Sequence, residues 1–194
     1  MLLRDMLRTL RDWSTRKPIP VEADQQYVPH SADVRTLLWA LTGVEIVTAV
    51  VVDLVIPPAF RILHVLWEVA VLAVFLGVCA MTARTPHLVD GRTLLIRTGP
   101  FGELAVPMAS VASLRAAHSA IGGRGLRRVP DDDEAVACSV SSATTLVLEL
   151  ADELPVDLRK GGPVSARRIH FSADSPVAAV RLISRAAADA KHLP

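Results

Sequence analysis

Four ionisable residues interrupt two otherwise apolar stretches of this 194-residue chain, and a fifth sits between them. Glu45 and Asp53 lie in the first stretch, residues 36–56, and His64 and Glu68 in the second, residues 62–83, with Arg61 at the junction. Three- and four-residue spacing puts Arg61, His64 and Glu68 on one helix face. Counted back from the junction, Asp53 matches Arg61 and His64 in depth, and Glu45 matches Glu68. One chemistry is helix–helix adhesion: Asp53 pairs with Arg61 or His64, and the glutamates face protein or take up protons. A second is an ion or proton site, because ionisable groups among apolar residues are costly and often functional. Two helices cannot enclose a pathway alone, so that site needs an oligomer. A third is contact with another membrane protein. Tetrahedral zinc fits poorly, since the ligands are spread over too much depth.

A second set of candidates is basic. Residues 122–134, GGRGLRRVPDDDE, carry Arg124, Arg127 and Arg128 among glycines, which can cradle a phosphate or lipid headgroup. No Walker pattern follows, and Asp131, Asp132, Asp133 and Glu134 offset the positive field. A solvated loop and a protein contact are the competing readings. Arg159 and Lys160, with Arg167 and Arg168, form another basic cluster that can rest against a membrane leaflet or sit on solvated strand edges.

The apolar stretches position the first set. Each has roughly the twenty residues needed to cross about 30 Å of hydrocarbon. Their valines favour strands in water, but an isolated strand leaves its backbone unsatisfied in lipid, so a helix is expected. Pro57 and Pro58 end the first helix, and Pro58 can begin the second. The connection is too short for a domain, so the helices are antiparallel neighbours. Arg16, Lys17 and Arg35 flank the first, Arg84, Arg92 and Arg97 follow the second, and only Arg61 sits at the turn. The positive-inside rule then places both termini in the cytoplasm of a plasma-membrane protein. No cleavable leader is expected, since the first stretch begins late and is too long.

Residues 1–33 read as an N-terminal arm and linker. Leu3, Met6, Leu7, Leu10 and Trp13 recur at helical spacing beside Arg4, Arg8 and Arg11, as in a helix lying on a membrane surface. Pro18 and Pro20 end that pattern, and residues 21–33 read as a polar linker. Residues 34–84 are the hairpin. Residues 85–194 switch to short strands, at 87–89, 93–98, 103–106, 111–116, 135–140, 144–150 and 166–172, half-buried and antiparallel by alternation. Asp90-Gly91 marks a hairpin turn. A final helix starts near Pro176, capped by Asp174 or Ser175, with Val177, Val180, Ile183 and Ala187 as its apolar stripe.

The formal net charge of +1 argues against a nucleic-acid partner. Cys79 and Cys138 have no metal-ligand spacing and read as buried apolar residues in a reducing compartment. Histidines 30, 87, 118, 170 and 192 form no recognisable pair. Ser139, Ser141 and Ser142 lack a nucleophile elbow, and no dinucleotide or metalloprotease motif is present. The chain is therefore not expected to be an enzyme or to carry a cofactor.

The order of hairpin, HLVDGRTLLIRTGPFGELAVPMASVASLR, late strands and closing helix resembles bacterial membrane proteins with a pleckstrin-homology-like domain. The matching segments are Leu94 to Arg97, Gly99, and Val106-Pro107 through Val111. The closing ARRIHFSADSP is similar to the tail of small actinobacterial membrane proteins. The resemblance spans residues 36–190. It implies a transmembrane hairpin plus a small β-rich domain with a C-terminal helix, no catalytic residues, and a scaffolding or accessory role with lipid, self-association or another membrane protein as partner.

Overall fold

The computed structural model describes residues 2–20, 22, 24–158 and 161–191. The chain divides into two compact units, Met1–Pro18 with Ala32–Arg84, and Ile19–Ser31 with Thr85–Pro194.

The first unit is helical. α1 (Leu2–Ser14), α2 (Ala32–Val55) and α3 (Arg61–Ala83) are its elements. Pro57 and Pro58 stop α2, and Pro58–Phe60 form a single 3-10 turn that leads into α3. α2 and α3 are both long and apolar enough to cross a membrane. Their outer surfaces are not covered by protein: Leu54, Val55 and Ile62 are 76%, 78% and 77% exposed. A core helix of a water-soluble domain would bury such residues.

α1 is helical over the residues whose spacing predicts it. It packs along the last turns of α3, with Met6 against Gly77 and Trp13 near Trp39 of α2, ring centroids 6.3 Å apart. The missing side chain at Gly77 lets Met6 approach. Arg84, just past α3, closes the end of α1 by donating to the carbonyls of Lys17 at 2.7 Å and of Asp12 and Pro18 at 3.4 Å. A guanidinium suits the electron-rich C-terminus of a helix.

The second unit holds two sheets and α4 (Pro176–Ala190). The first sheet is an antiparallel meander of β1 (Gln26–Val28), β2 (His87–Val89), β3 (Thr93–Arg97) and β4 (Glu103–Pro107). Residues 26–28, expected in a linker, pair with β2 instead, because β2 leaves an open edge opposite them. The β2–β3 turn follows the Asp90-Gly91 signal: Asp90 Oδ1 accepts from the amides of Arg92 at 2.7 Å and Thr93 at 2.6 Å.

The second sheet runs β5 (Val111–Ala120), β8 (Ala143–Leu158), β9 (Gly162–Phe171), β7 (Asp132–Ser139), β6 (Gly125–Val129). Its centre, β5–β8–β9, is antiparallel, and the β6–β7 hairpin joins by a parallel β7–β9 pairing. That pairing departs from the all-antiparallel expectation. So does the structure of residues 122–134, read as a loop. Asp131 takes positive φ and closes a tight turn after Pro130, a conformation Asp tolerates, and its flanks pair. Gly125 opens β6 at positive φ, where a Cβ would sit 2.4 Å from the Phe101 carbonyl oxygen.

Leu94, Ile96, Val106, Met108, Leu146, Leu148, Ile169, Phe171 and Ile183 form a core shared by both sheets and α4. The Leu146, Leu148, Leu150 alternation points inward as expected. The inner stripe of α4 is Ala179, Ile183 and Ala187, while Val177 is exposed. Ser175 is the N-cap, but its side chain makes no cap hydrogen bond.

Candidate functional site in the helical hairpin

Of the five ionisable hairpin residues, the structure groups three: Glu45, His64 and Glu68. His64 Nδ1 lies 3.5 Å from Glu68 Oε1, one turn along α3. His64 Nε2 lies 3.3 Å from the Ala49 carbonyl oxygen of α2. A carbonyl only accepts, so Nε2 carries hydrogen and donates across the helices. Nδ1 is left facing Glu68. Glu45 of α2 lies near Glu68. The side chains of His64 and Glu68 are only 9% and 15% exposed, and Glu68 Oε2 is buried without a donor among the described residues.

Asp53 and Arg61 do not join this group. No ion pair or hydrogen bond links Asp53 to Arg61 or His64 among the described residues; His64 turns instead to Ala49 and Glu68. Arg61 is exposed at the start of α3.

The basic candidates of the β unit are placed differently. Arg127 folds back on its own hairpin, donating to the carbonyls of Ile121 and Gly122 at 2.7 Å and of Gly125 at 2.8 Å, and to Ser139 Oγ at 3.1 Å. Burial pulls its guanidinium below the usual arginine range. Arg128 faces Asp133 at 3.8 Å. Arg124 is exposed on the turn before β6. Arg159 and Lys160 lie outside the described residues. Arg167 pairs with Glu153 at 3.2 Å and Arg168 with Asp132 at 2.7 Å.

The structure also brings together a pair that the sequence hid. His87 is fully buried, donates from Nε2 to the Ser172 carbonyl at 2.8 Å, and accepts at Nδ1 from the Arg97 amide at 3.0 Å. Burial, with His30 beside it, holds its imidazole down at about 3. His30 stacks on it at 4.3 Å and lies 2.7 Å by Nε2 from the Thr85 carbonyl oxygen. Both apolar helices separate the two histidines in sequence, so spacing gave no signal. Both cysteines are free and buried, and burial pushes the Cys138 thiol up to about 12. Among the described residues no group of three or more His, Cys, Asp or Glu side chains is arranged to hold a metal ion.

The chain is thus a pair of helices long and apolar enough to span a membrane, followed by a β-rich domain closed by a helix. Comparison with protein-family models, with curated proteins and with solved structures gives no match.

Proposed function

We propose that this is an integral membrane protein in which α2 and α3 span the bilayer, both termini face the cytoplasm, and the β unit is a non-catalytic binding or scaffold module. One observation carries the reading: the two longest helices leave their apolar surfaces uncovered by protein. Lipid is the solvent that removes that cost. Loss of Arg61 to the outer side and retention of Arg16, Lys17, Arg35 and Arg84 inside agree with the charge rule.

A pleckstrin-homology-like relationship finds support in the β unit's plan. An antiparallel meander precedes a second sheet with the antiparallel centre β5–β8–β9, and a C-terminal helix closes the core. The β6–β7 hairpin is then an insertion. The exposed surface of this module would receive a protein partner or a lipid surface.

A second reading, a small subunit of an oligomeric transporter or proton-linked membrane assembly, is favoured by the His64–Glu68 pair within α3, with both side chains largely screened from solvent.

Topology and partner binding are tested together. A C-terminal tag should resist protease in intact cells and be digested once the cytoplasmic face is opened. The intact chain isolated in mild detergent should bring a partner at defined stoichiometry, lost when residues 85–194 are deleted. Digestion in intact cells contradicts the topology. A partner retained by the hairpin alone contradicts the scaffold role and favours the membrane assembly.

A further inference from the structure

α1, with 13 residues, is too short to cross a bilayer, yet it docks on α3, which is long enough. Met6 sits against Gly77, and the Asp12 carbonyl accepts from Arg84. Similar lengths of α1 and α3 separate those two contacts, so the helices run side by side in the same direction. The turns of α3 beneath α1 are closed, with Gly77, Cys79, Ala80 and Thr82 buried. Just before them Val74 is exposed, as are Leu37 and Trp39 of α2. Trp39 is also the partner of Trp13 of α1, at 6.3 Å. Open apolar surface and an aromatic pair at one end of a hairpin mark the boundary between acyl chains and headgroups. α1 lies at that boundary.

The faces of α1 are sorted by charge. Met6 and Trp13 turn toward α3 and α2. Three- and four-residue spacing puts Arg4, Leu7, Arg8 and Arg11 together on another face, and all four are exposed. Asp5 and Asp12 fall outside that face, and Asp12 is held by Lys17 at 3.0 Å and Arg11 at 3.3 Å. Among the described residues the side chains of Arg4 and Arg8 make no ion pair or hydrogen bond. Arg16, Lys17, Arg35 and Arg84 add positive charge to the same end, with only Asp33 added against them. A leucine flanked by guanidinium groups suits an interface, its apolar part toward acyl chains and its forked donors toward phosphate oxygens. We infer that α1 is a binding surface for acidic phospholipid, with Arg4, Arg8 and Arg11 on the headgroup phosphates and Leu7 at the acyl boundary. Phosphatidylcholine offers a phosphate too, but its ammonium group offsets the charge, so the net attraction is to acidic lipid.

The lipid surface rests on the membrane reading of α2 and α3, and the test separates the two. The full chain carrying W67F is reconstituted in phosphatidylcholine vesicles, so that emission comes from Trp13 and Trp39 beside α1. A minor fraction of phosphatidylglycerol brominated on its acyl chains, which quench tryptophan on contact, is compared with the same fraction of brominated phosphatidylcholine. Phosphatidylglycerol should be preferred about fivefold, and less in high salt. R4Q/R8Q/R11Q keeps good helix formers and should make the two lipids quench alike, whereas R4K/R8K/R11K should retain the preference. Equal quenching by both lipids in the W67F chain overturns the lipid surface and leaves the membrane reading standing. A preference that survives R4Q/R8Q/R11Q overturns it as well. Quenching by neither lipid overturns the membrane reading and the lipid surface together.

Discussion

The rings of His30 and His87 stack 4.3 Å apart and nearly parallel, and each spans to a distant carbonyl of the β unit. Phe171 closes the stack edge-on at 5.5 Å. His87 joins the first sheet to the end of β9 through Ser172, so a neutral ring is built into the core.

The pH dependence follows from that ring. In the folded domain burial holds the His87 imidazole down at about 3, against 6.5 for an exposed histidine in the unfolded chain. Between those limits the unfolded chain binds a proton that the folded one does not. Stability is therefore full above pH 6.5 and falls as pH drops toward 3, by up to about 1.4 kcal/mol per unit. H87Q should be less stable at neutral pH but flatter through that window, measured by denaturation of the intact chain in detergent with strand circular dichroism. An unchanged slope in H87Q would assign the dependence elsewhere.

Arg84 holds the end of α1, so R84A should release that helix from α3. Loss of a charged donor to helix-end carbonyls costs about 1–2 kcal/mol. Hydrogen exchange in residues 6–14 should quicken by roughly tenfold or more, with R84K intermediate. Unchanged exchange would show that side-chain packing alone docks α1.

Gly77 is where Met6 enters. A Cβ there would lie 2.5 Å from Met6 Cγ and 2.6 Å from Sδ. G77A should loosen α1 by about 1–3 kcal/mol, the usual cost of overpacking, and M6A/G77A should recover part of it. Hydrogen exchange over α1 reads both variants. If G77A is silent, Met6 moves aside freely and the fit is not specific.

Arg127 serves the β6–β7 hairpin as an internal donor. R127A leaves the carbonyls of Ile121, Gly122 and Gly125 without their shared guanidinium and should cost about 2–3 kcal/mol. R127K, lacking the fork, should recover little. R124A should leave stability unchanged while altering binding to any anionic vesicle that the turn contacts. Comparable stability loss in both variants would overturn this division of roles.

The hairpin was legible because its signals are local: long apolar runs, a Pro-Pro stop, and polar residues at helical spacing. The same spacing brought Glu45 level with Glu68, and put His64 on the Glu68 face. It could not show that His64 turns toward the Ala49 carbonyl rather than toward Asp53, since rotamers depend on the facing helix. In the β unit, alternation found Leu146, Leu148, Ile169 and Phe171. It missed β1 and β6, which are too short to show alternation and are paired at a neighbour's edge. Arg127 looked like a ligand-binding residue because a sequence does not reveal that a guanidinium bends back on its own turn. The His30–His87 stack had no local signature at all.

The most direct measurement is fractionation of cells expressing the full chain, with the membranes washed at high pH and in high salt. Retention of the chain in the pellet, and its release only by detergent, is the expected result, because the exposed apolar faces of α2 and α3 have no protein cover. Release into the wash as a folded, detergent-free protein would contradict a hairpin that spans the bilayer.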